Sequence, residues 1–430
     1  MLGVVFGAFL VAMVLGLPMA VAMGSATFLP QLIKSSFPGS MNMIIQAMIG
    51  GLNTTPILAI PLFMLSGALM TRGGISKKLF DIFAYIAGKK TAGVPCAVVV
   101  TCLFYGAISG SGPATAAAVG AMCIPILVGL GYDKVFSAAI VATAGGLGVI
   151  IPPSIPFIMY ALFTNGSVGD MFTAGILPGC LIAFILMFYC WFYCKRHGED
   201  KARIAENFES LKKRGFGRVF MDGFWAVLTP IIILGGIYGG FVTPTEAACV
   251  SVFYALIVCV FIYKTIKPKD VPQLLKDAIA SYAPICVLIG LATGFSRILV
   301  LLRATDAFQT LLQSFIGSRT SLLLFVIILL LILGMFMDVG AAVVILAPML
   351  LPVAQSFGIS QVHLGIIMVT DLAVGFVTPP FGMNLFVAAP LGDTNVATLG
   401  KKALPFIVCF IFALLLIAFI PAISLCLLQK

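Results

Sequence analysis

The chain has 430 residues, 61% hydrophobic and only 9% charged. A soluble domain carries about 25% charged residues, so a soluble fold is excluded for most of the chain, and the lipid bilayer is its solvent. The formal net charge of +10 sits in short segments beside apolar runs, where Lys and Arg report a cytoplasmic side rather than nucleic-acid binding.

In chain order, residues 2–33 read as one long apolar span, closed by the punctuation at 35–40. Residues 42–71 hold the next span, with Pro56 and Pro61 inside it. The stretch 72–90 carries five basic residues against one acid and is expected to lie along the interface as an amphipathic helix. Residues 92–108 form a span that feeds a broken motif. The 19 residues from Pro113 to Gly131 are interrupted by Gly120 and Pro125, too broken for a clean span of about 20 residues. A hairpin that enters and leaves on one side fits better, and such backbone is tolerated only where protein or a cavity covers it. Residues 134–165 follow as a span broken at 145–154, and 171–194 as an aromatic-ended span. The segment 195–219, with eight basic and four acidic residues, reads as a cytoplasmic loop that divides the chain into halves. Spans follow at 220–242 and 245–263, a second amphipathic surface stretch at 264–278, and a span at 280–302. Arg297 and Arg303 near its end read as snorkelling residues, contact of Arg297 with an anionic substrate being the less favoured role. Residues 321–337 lead into a second broken motif, 363–385 form its broken helix, and 405–428 close the chain. The count is about ten full spans and two hairpins.

The two broken motifs repeat each other. An offset of 227 positions carries Pro125 onto Pro352, Gly131 onto Gly358, Gly148 onto Gly375 and Pro152-Pro153 onto Pro379-Pro380, and Ser111 falls on Asp338. Corresponding broken segments in two halves of a membrane chain point to the binding site of a secondary transporter. Each motif places glycine before a Pro-Pro pair. Proline removes a donor and frees a carbonyl of the preceding turn, and an unsatisfied carbonyl in lipid costs several kcal/mol. Neighbouring helices or water satisfy a kink; two breaks at matching positions favour a bound cation, sodium above all.

The tips, 109–113 and 337–340, are expected at mid-depth facing the broken helices. Asp338, ionisable within apolar sequence, is a functional candidate: it suits accepting a substrate hydroxyl or ammonium, holding a cation or carrying a proton, against the plainer role of a helix cap. Asp371 is similarly embedded. Ser109, Ser111, Ser154 and Thr378 supply hydroxyls, and helix N-termini at the tips attract anions.

Absences narrow the function. There is no Gly-x-x-x-x-Gly-Lys-Ser/Thr loop, so ATP is not expected to drive the chain. The only histidines are His197 and His363, leaving no evident base for an intramembrane hydrolase centred on Ser109. The 11 cysteines never form Cys-x-x-Cys and read as small buried hydrophobes. The first basic residue is Lys34, so a cleavable signal peptide is not expected.

The motifs SGSGPATAAAVG from Ser109, GVIIPPS from Gly148, GGFVTPTEAA from Gly239, GMFMD from Gly334 and GFVTPPFG from Gly375 together resemble the large membrane (permease) subunit of tripartite ATP-independent periplasmic (TRAP) transporters, within the ion-transporter superfamily. The resemblance covers almost the entire chain. It implies an all-α polytopic membrane protein, an inverted-repeat elevator-type transporter with two re-entrant helical hairpins and two broken transmembrane helices. Residues 1–430 would form one integral membrane unit. The transport domain would comprise 92–194 with the first hairpin and 321–403 with the second, with the loop 195–219 between them and the remaining spans mainly scaffold. It further implies a multi-pass protein of the bacterial inner membrane that takes up an organic acid, of sialic acid or C4-dicarboxylate type, with co-transported sodium (Na+) and no ATP. A periplasmic substrate-binding protein would deliver the substrate, and a small four-helix membrane subunit, expected as a separate chain, would enlarge the scaffold. No catalysis and no nucleic acid are implied.

Residue by residue, the resemblance places one sodium site at Ser109, Ser111, Gly148, Ile151 and Pro153. It places a second at Gly334, Gly375, Thr378 and Phe381, the last mostly by main-chain oxygen. Ser111, Ser154 and Asp338 would line the substrate pocket between them. Phe381 stands where the first half has Ser154, so the two sites need not be equivalent. A charge crossing 100 mV gains about 2.3 kcal/mol and a tenfold gradient adds about 1.4 kcal/mol per ion. Two sodium ions then supply about 7 kcal/mol, or about 5 kcal/mol with a monoanionic substrate. The rival readings are a stand-alone sodium- or proton-coupled carboxylate symporter, a passive channel and the hydrolase.

Overall fold

The computed structural model describes residues 1–34, 37 and 39–428, so that 35, 36 and 38 of the expected break at 35–40 lie outside the described residues. The chain is an all-α polytopic membrane protein, with no strand among the described residues. Among the described residues eight helices are long and apolar enough to cross a membrane. Two of the eight, Gly112–Gly129 and Val339–Ser356, are second arms of helical hairpins, and the expected spans 2–33, 42–71, 134–165 and 363–385 are each interrupted rather than one continuous helix.

Proline explains much of the difference. The expected span 2–33 is two helices, Leu2–Val14 and Met19–Ile33, because Pro18 lacks an N–H and disfavours helix at the residue before it. The span 42–71 divides likewise into Met41–Leu52 and Thr55–Arg72, with Pro56 in the first turn of the second helix. Apolarity runs on across both joins, which is why hydropathy alone merges them. The stretch 72–90 holds an amphipathic helix, Ile75–Ala87, that buries Ile75, Leu79, Phe80 and Ile82. The second surface stretch is not separate: from Val271 it belongs to the continuous helix Val271–Leu301. The loop 195–219 is mostly helical. Asp200 caps Lys201–Lys213 by accepting from Arg203 N at 3.2 Å, and Ile204 of that helix is buried against the core.

Two hairpins and two broken helices form the centre. Hairpin 1 is Gly93–Ser109 and Gly112–Gly129; hairpin 2 is Arg319–Gly334 and Val339–Ser356. A 17-residue arm is only about 25 Å long at 1.5 Å per residue, short of the ~30 Å hydrocarbon core. Broken helix 1 runs Lys134–Gly145, continues in a tighter turn Gly146–Val149, breaks, and resumes as Ile155–Thr164. Broken helix 2 is Gln361–Gly375 and Met383–Leu391.

End-to-end contacts establish the inversion. Broken helix 2 starts where broken helix 1 finishes: Gln361 Nε2 donates to the Thr164 carbonyl at 2.8 Å and Tyr160 OH to the Gln361 carbonyl at 2.7 Å. It finishes where the other starts, with Lys134 Nζ 2.7 Å from Asp393; this ammonium holds the Asp393 carboxyl below its ordinary range. The broken helices therefore run antiparallel, and the hairpins connected to them enter from opposite sides. At mid-length Asn384 Nδ2 donates to the Ala142 carbonyl at 2.9 Å, which sets the two breaks level. Helix Val396–Phe419 packs on Lys134–Gly145 and on Val168–His197, so the second central part continues beyond 403.

Candidate functional site

Without a hydrophobic drive between helices in lipid, close packing depends on small residues, and glycine does this work at both breaks. A Cβ on Gly148 would strike the Thr115 hydroxyl and stand 2.6 Å from the Ser111 carbonyl oxygen, and one on Gly106 would stand 2.7 Å from the Gly148 Cα. In the second half a Cβ on Gly375 would stand 2.6 Å from the Cα and the carbonyl oxygen of Gly334. Each hairpin thus meets its broken helix backbone to backbone.

The first tip carries a connected set of oxygens. Ser109 Oγ is 2.9 Å from Thr115 Oγ1 and donates to the Ser111 carbonyl at 3.3 Å, and the Thr115 hydroxyl donates to the same carbonyl at 2.8 Å. The Gly110 carbonyl accepts from Ile155 N at 3.4 Å, and the Pro153 carbonyl oxygen would lie 2.9 Å from a Cβ on Gly110. Ser109, Ser111, Gly148 and Pro153 are therefore brought together, with Ile151 in the same turn directing its side chain at Gly179. Ser154 is fully buried. Its hydroxyl donates to the Val149 carbonyl at 2.5 Å and accepts from Phe157 N at 3.3 Å, capping Ile155–Thr164.

At the second tip Gly334 and Gly375 touch, while Thr378 donates to the Val374 carbonyl at 2.7 Å. Phe381 is exposed, edge-on to Phe336 at 5.5 Å. Asp338 is exposed and caps Val339–Ser356 by accepting from Gly340 N at 2.9 Å. Asp371 is fully buried with neither carboxylate oxygen hydrogen-bonded. Among the described residues no three His, Cys, Asp or Glu side chains group as ion ligands.

A cavity of about 420 Å³ opens beside the first tip. Ser109, Ser111 and Ile155 form one wall; Gly67 and Thr71 of helix Thr55–Arg72, with Ser281 of Val271–Leu301, face them. Arg72 and Asp277, paired at 3.0 Å, also line it. Arg72 ends its helix five residues before Lys77 of the amphipathic helix, so the cavity opens at the basic end of Thr55–Arg72. Ser154, Asp338, Thr378 and Phe381 are not among its lining residues, nor are Arg297 and Arg303. Sequence reasoning missed Thr115, Thr71, Arg72, Asp277 and Ser281. Thr115 was legible, four residues after Ser111 on one helix face; the Arg72–Asp277 pair spans 205 positions and carries no local signal.

The sequence model of the tripartite ATP-independent periplasmic transporter, DctM component, matches residues 6–423. The chain belongs to this family. Among TRAP relatives it is 40% identical over 425 residues to the isethionate TRAP transporter permease protein DctMQ of Oleidesulfovibrio alaskensis, covering 98% of this chain and 65% of that longer protein. It is 33% identical to the C4-dicarboxylate TRAP transporter large permease protein DctM of Rhodobacter capsulatus, over 99% of this chain and 98% of that one. It is also 33% identical to the sialic acid TRAP transporter large permease protein SiaM of Vibrio cholerae, over 90% and 89%. In fold the TRAP chain is similar to the Alcanivorax borkumensis YdaH transporter, with a TM-score of 0.61, 17% identity and 90% of each chain covered. It is likewise similar to Neisseria gonorrhoeae MtrF, with a TM-score of 0.60, 12% identity and 93% of each covered.

Proposed function

We propose that the chain is the large permease subunit of a sodium-coupled TRAP transporter of the bacterial inner membrane, taking up a small carboxylate or sulfonate. The observation that carries this reading is the cavity at the first hairpin tip, polar at Ser109, Ser111 and Arg72 and open at the basic end of Thr55–Arg72. Its volume of about 420 Å³ lies within the range of small-molecule sites, about 300–1,000 Å³. The relatives named for isethionate, C4-dicarboxylates and sialic acid support an anionic substrate. The oxygen sets at Ser109, Ser111, Gly148, Ile151 and Pro153, and at Gly334, Gly375, Thr378 and Phe381, would each hold sodium. In this reading hairpins and broken helices slide together as an elevator, releasing substrate through the cavity past Arg72. A periplasmic binding protein delivers the substrate and a small membrane subunit completes the scaffold.

The test is uptake into proteoliposomes containing the chain and its small subunit, with binding protein outside, offering radiolabelled isethionate, a C4-dicarboxylate and sialic acid under sodium or potassium gradients. Accumulation of one substrate, dependent on inward sodium and on the binding protein, is expected. Uptake of free substrate by the chain alone would instead establish the stand-alone symporter, and equilibration without accumulation a channel.

A further inference from the structure

We infer that the cytoplasmic ends of helices Val168–His197 and Val396–Phe419 form a binding site for the head-group phosphate of an anionic phospholipid. A cavity of about 250 Å³ lies between them. Tyr189, Phe192 and Tyr193 wall it, and Arg196, Lys401 and Lys402 line it where the helices leave the membrane. No acid is among its lining residues. Asp133, 3.6 Å from Lys402, is the single carboxylate paired with any of these three cations among the described residues; Arg196 and Lys401 make no ion pair there.

The wall is rigid. The Tyr193 ring stacks on Phe136 at 3.7 Å and on His197 at 4.0 Å, and Lys402 Nζ stands 5.0 Å from its centroid. Beyond the cations the helix surfaces turn apolar on both sides: Phe188 is 59% and Phe192 50% exposed on one helix, Leu404 51% and Val408 64% on the other. Lys195 over the Trp191 ring at 4.9 Å marks the level where aromatic and basic residues meet the lipid head groups. Charge at the rim with apolar surface leading into the bilayer matches a lipid, whose acyl chains lie against these residues while its phosphate takes the three cations. A soluble phosphate would use the cations alone. Each basic residue near an anionic leaflet strengthens binding by a factor of about five.

The site lies on the unit that holds the breaks, since both helices pack against broken helix 1. If that unit slides as proposed above, a bound lipid favours its cytoplasmic position. This consequence rests on the elevator reading; lipid binding does not.

The test is native mass spectrometry of the purified chain titrated with dioctanoyl phosphatidylglycerol, dioctanoyl phosphatidylcholine and inorganic phosphate. One phosphatidylglycerol is expected to bind in preference to phosphatidylcholine. R196Q/K401Q/K402Q should weaken it roughly a hundredfold, and the exposed single change Lys401→Gln roughly fivefold, which keeps the test decisive if the triple variant misfolds. Lys77→Gln with Lys78→Gln, on the separate amphipathic helix, should leave it unchanged. Equal binding by wild type and Lys401→Gln would overturn the site. Displacement by inorganic phosphate at matching concentration would overturn the lipid assignment in favour of a free-anion site.

Discussion

At Gly148 one hydrogen separates a packed break from a collision. An added methyl would meet the Ser111 carbonyl, part of the proposed sodium site, and the Thr115 hydroxyl that donates to it. Overpacking of this kind costs about 1–3 kcal/mol, tolerable for folding but not for ligand geometry. Gly148→Ala should therefore give a monodisperse protein whose uptake falls at least about tenfold, since 1.4 kcal/mol is already a factor of ten; uptake at the wild-type rate would show that the contact is not needed. Asp338 is separable from its capping role because Asn caps a helix about as well as Asp. Asp338→Asn should keep the thermal midpoint and lower uptake several-fold. Full activity would remove the Asp338 charge from the transport site and leave it a cap, the plainer role its bond to Gly340 N already satisfies.

Helix Thr55–Arg72 meets hairpin 1 closely at Gly67, where a Cβ would stand 3.1 Å from the Ser109 Cα. If the hairpin slides past this helix, bulk at position 67 jams it in one position. Gly67→Val should reduce uptake more than it reduces sodium-dependent stabilisation, because the ion site lies on the hairpin side of the contact. Equal losses in both measurements would mean that the substitution damages the hairpin itself. The hydrophilic helix Lys201–Lys213 shows how an element can be polar yet fixed. Glu199, just before it, accepts from Ala92 N at 3.0 and 3.1 Å at the start of hairpin 1 and from Tyr132 OH at 2.5 Å at its end. Arg214, just beyond it, pairs with Asp81 and Asp222 at 3.1 Å each. Burial nevertheless pushes the Asp81 carboxyl above its ordinary range.

For the whole molecule, sodium binding reads out as stability. A ligand that binds only the native state adds RT ln(1 + [L]/Kd), about 2.7 kcal/mol at a hundredfold excess. Thermal unfolding in sodium, potassium and choline at equal ionic strength should show a saturable rise in sodium alone. Thr378→Val should move that rise to higher sodium, since it removes the hydroxyl oxygen at the second break; an unchanged curve would exclude that hydroxyl as a ligand. A response identical in all three cations would redirect attention to protons at Asp338 and at the unpartnered, buried Asp371.

What the sequence determined by itself was whatever depends on local chemistry and on repetition. Charge-poor composition dictated a membrane solvent, and the Gly and Pro spacing, repeated at 227 positions from Gly148 to Gly375, located both breaks and both hairpins, because proline disrupts a helix wherever it falls. The family followed from the same motifs. Helix ends at Pro18 and Asn53 were harder to see, since apolar residues continue through them. Only the tertiary structure decided which oxygens share a site. Ser154 and Ser111 look alike as hydroxyls beside a break, yet one is a buried cap and the other lines the cavity. Arg72 and Asp277 meet across the intervening chain. Such pairings are set by how helices pack, a property of three-dimensional contact that no period or spacing along the chain encodes.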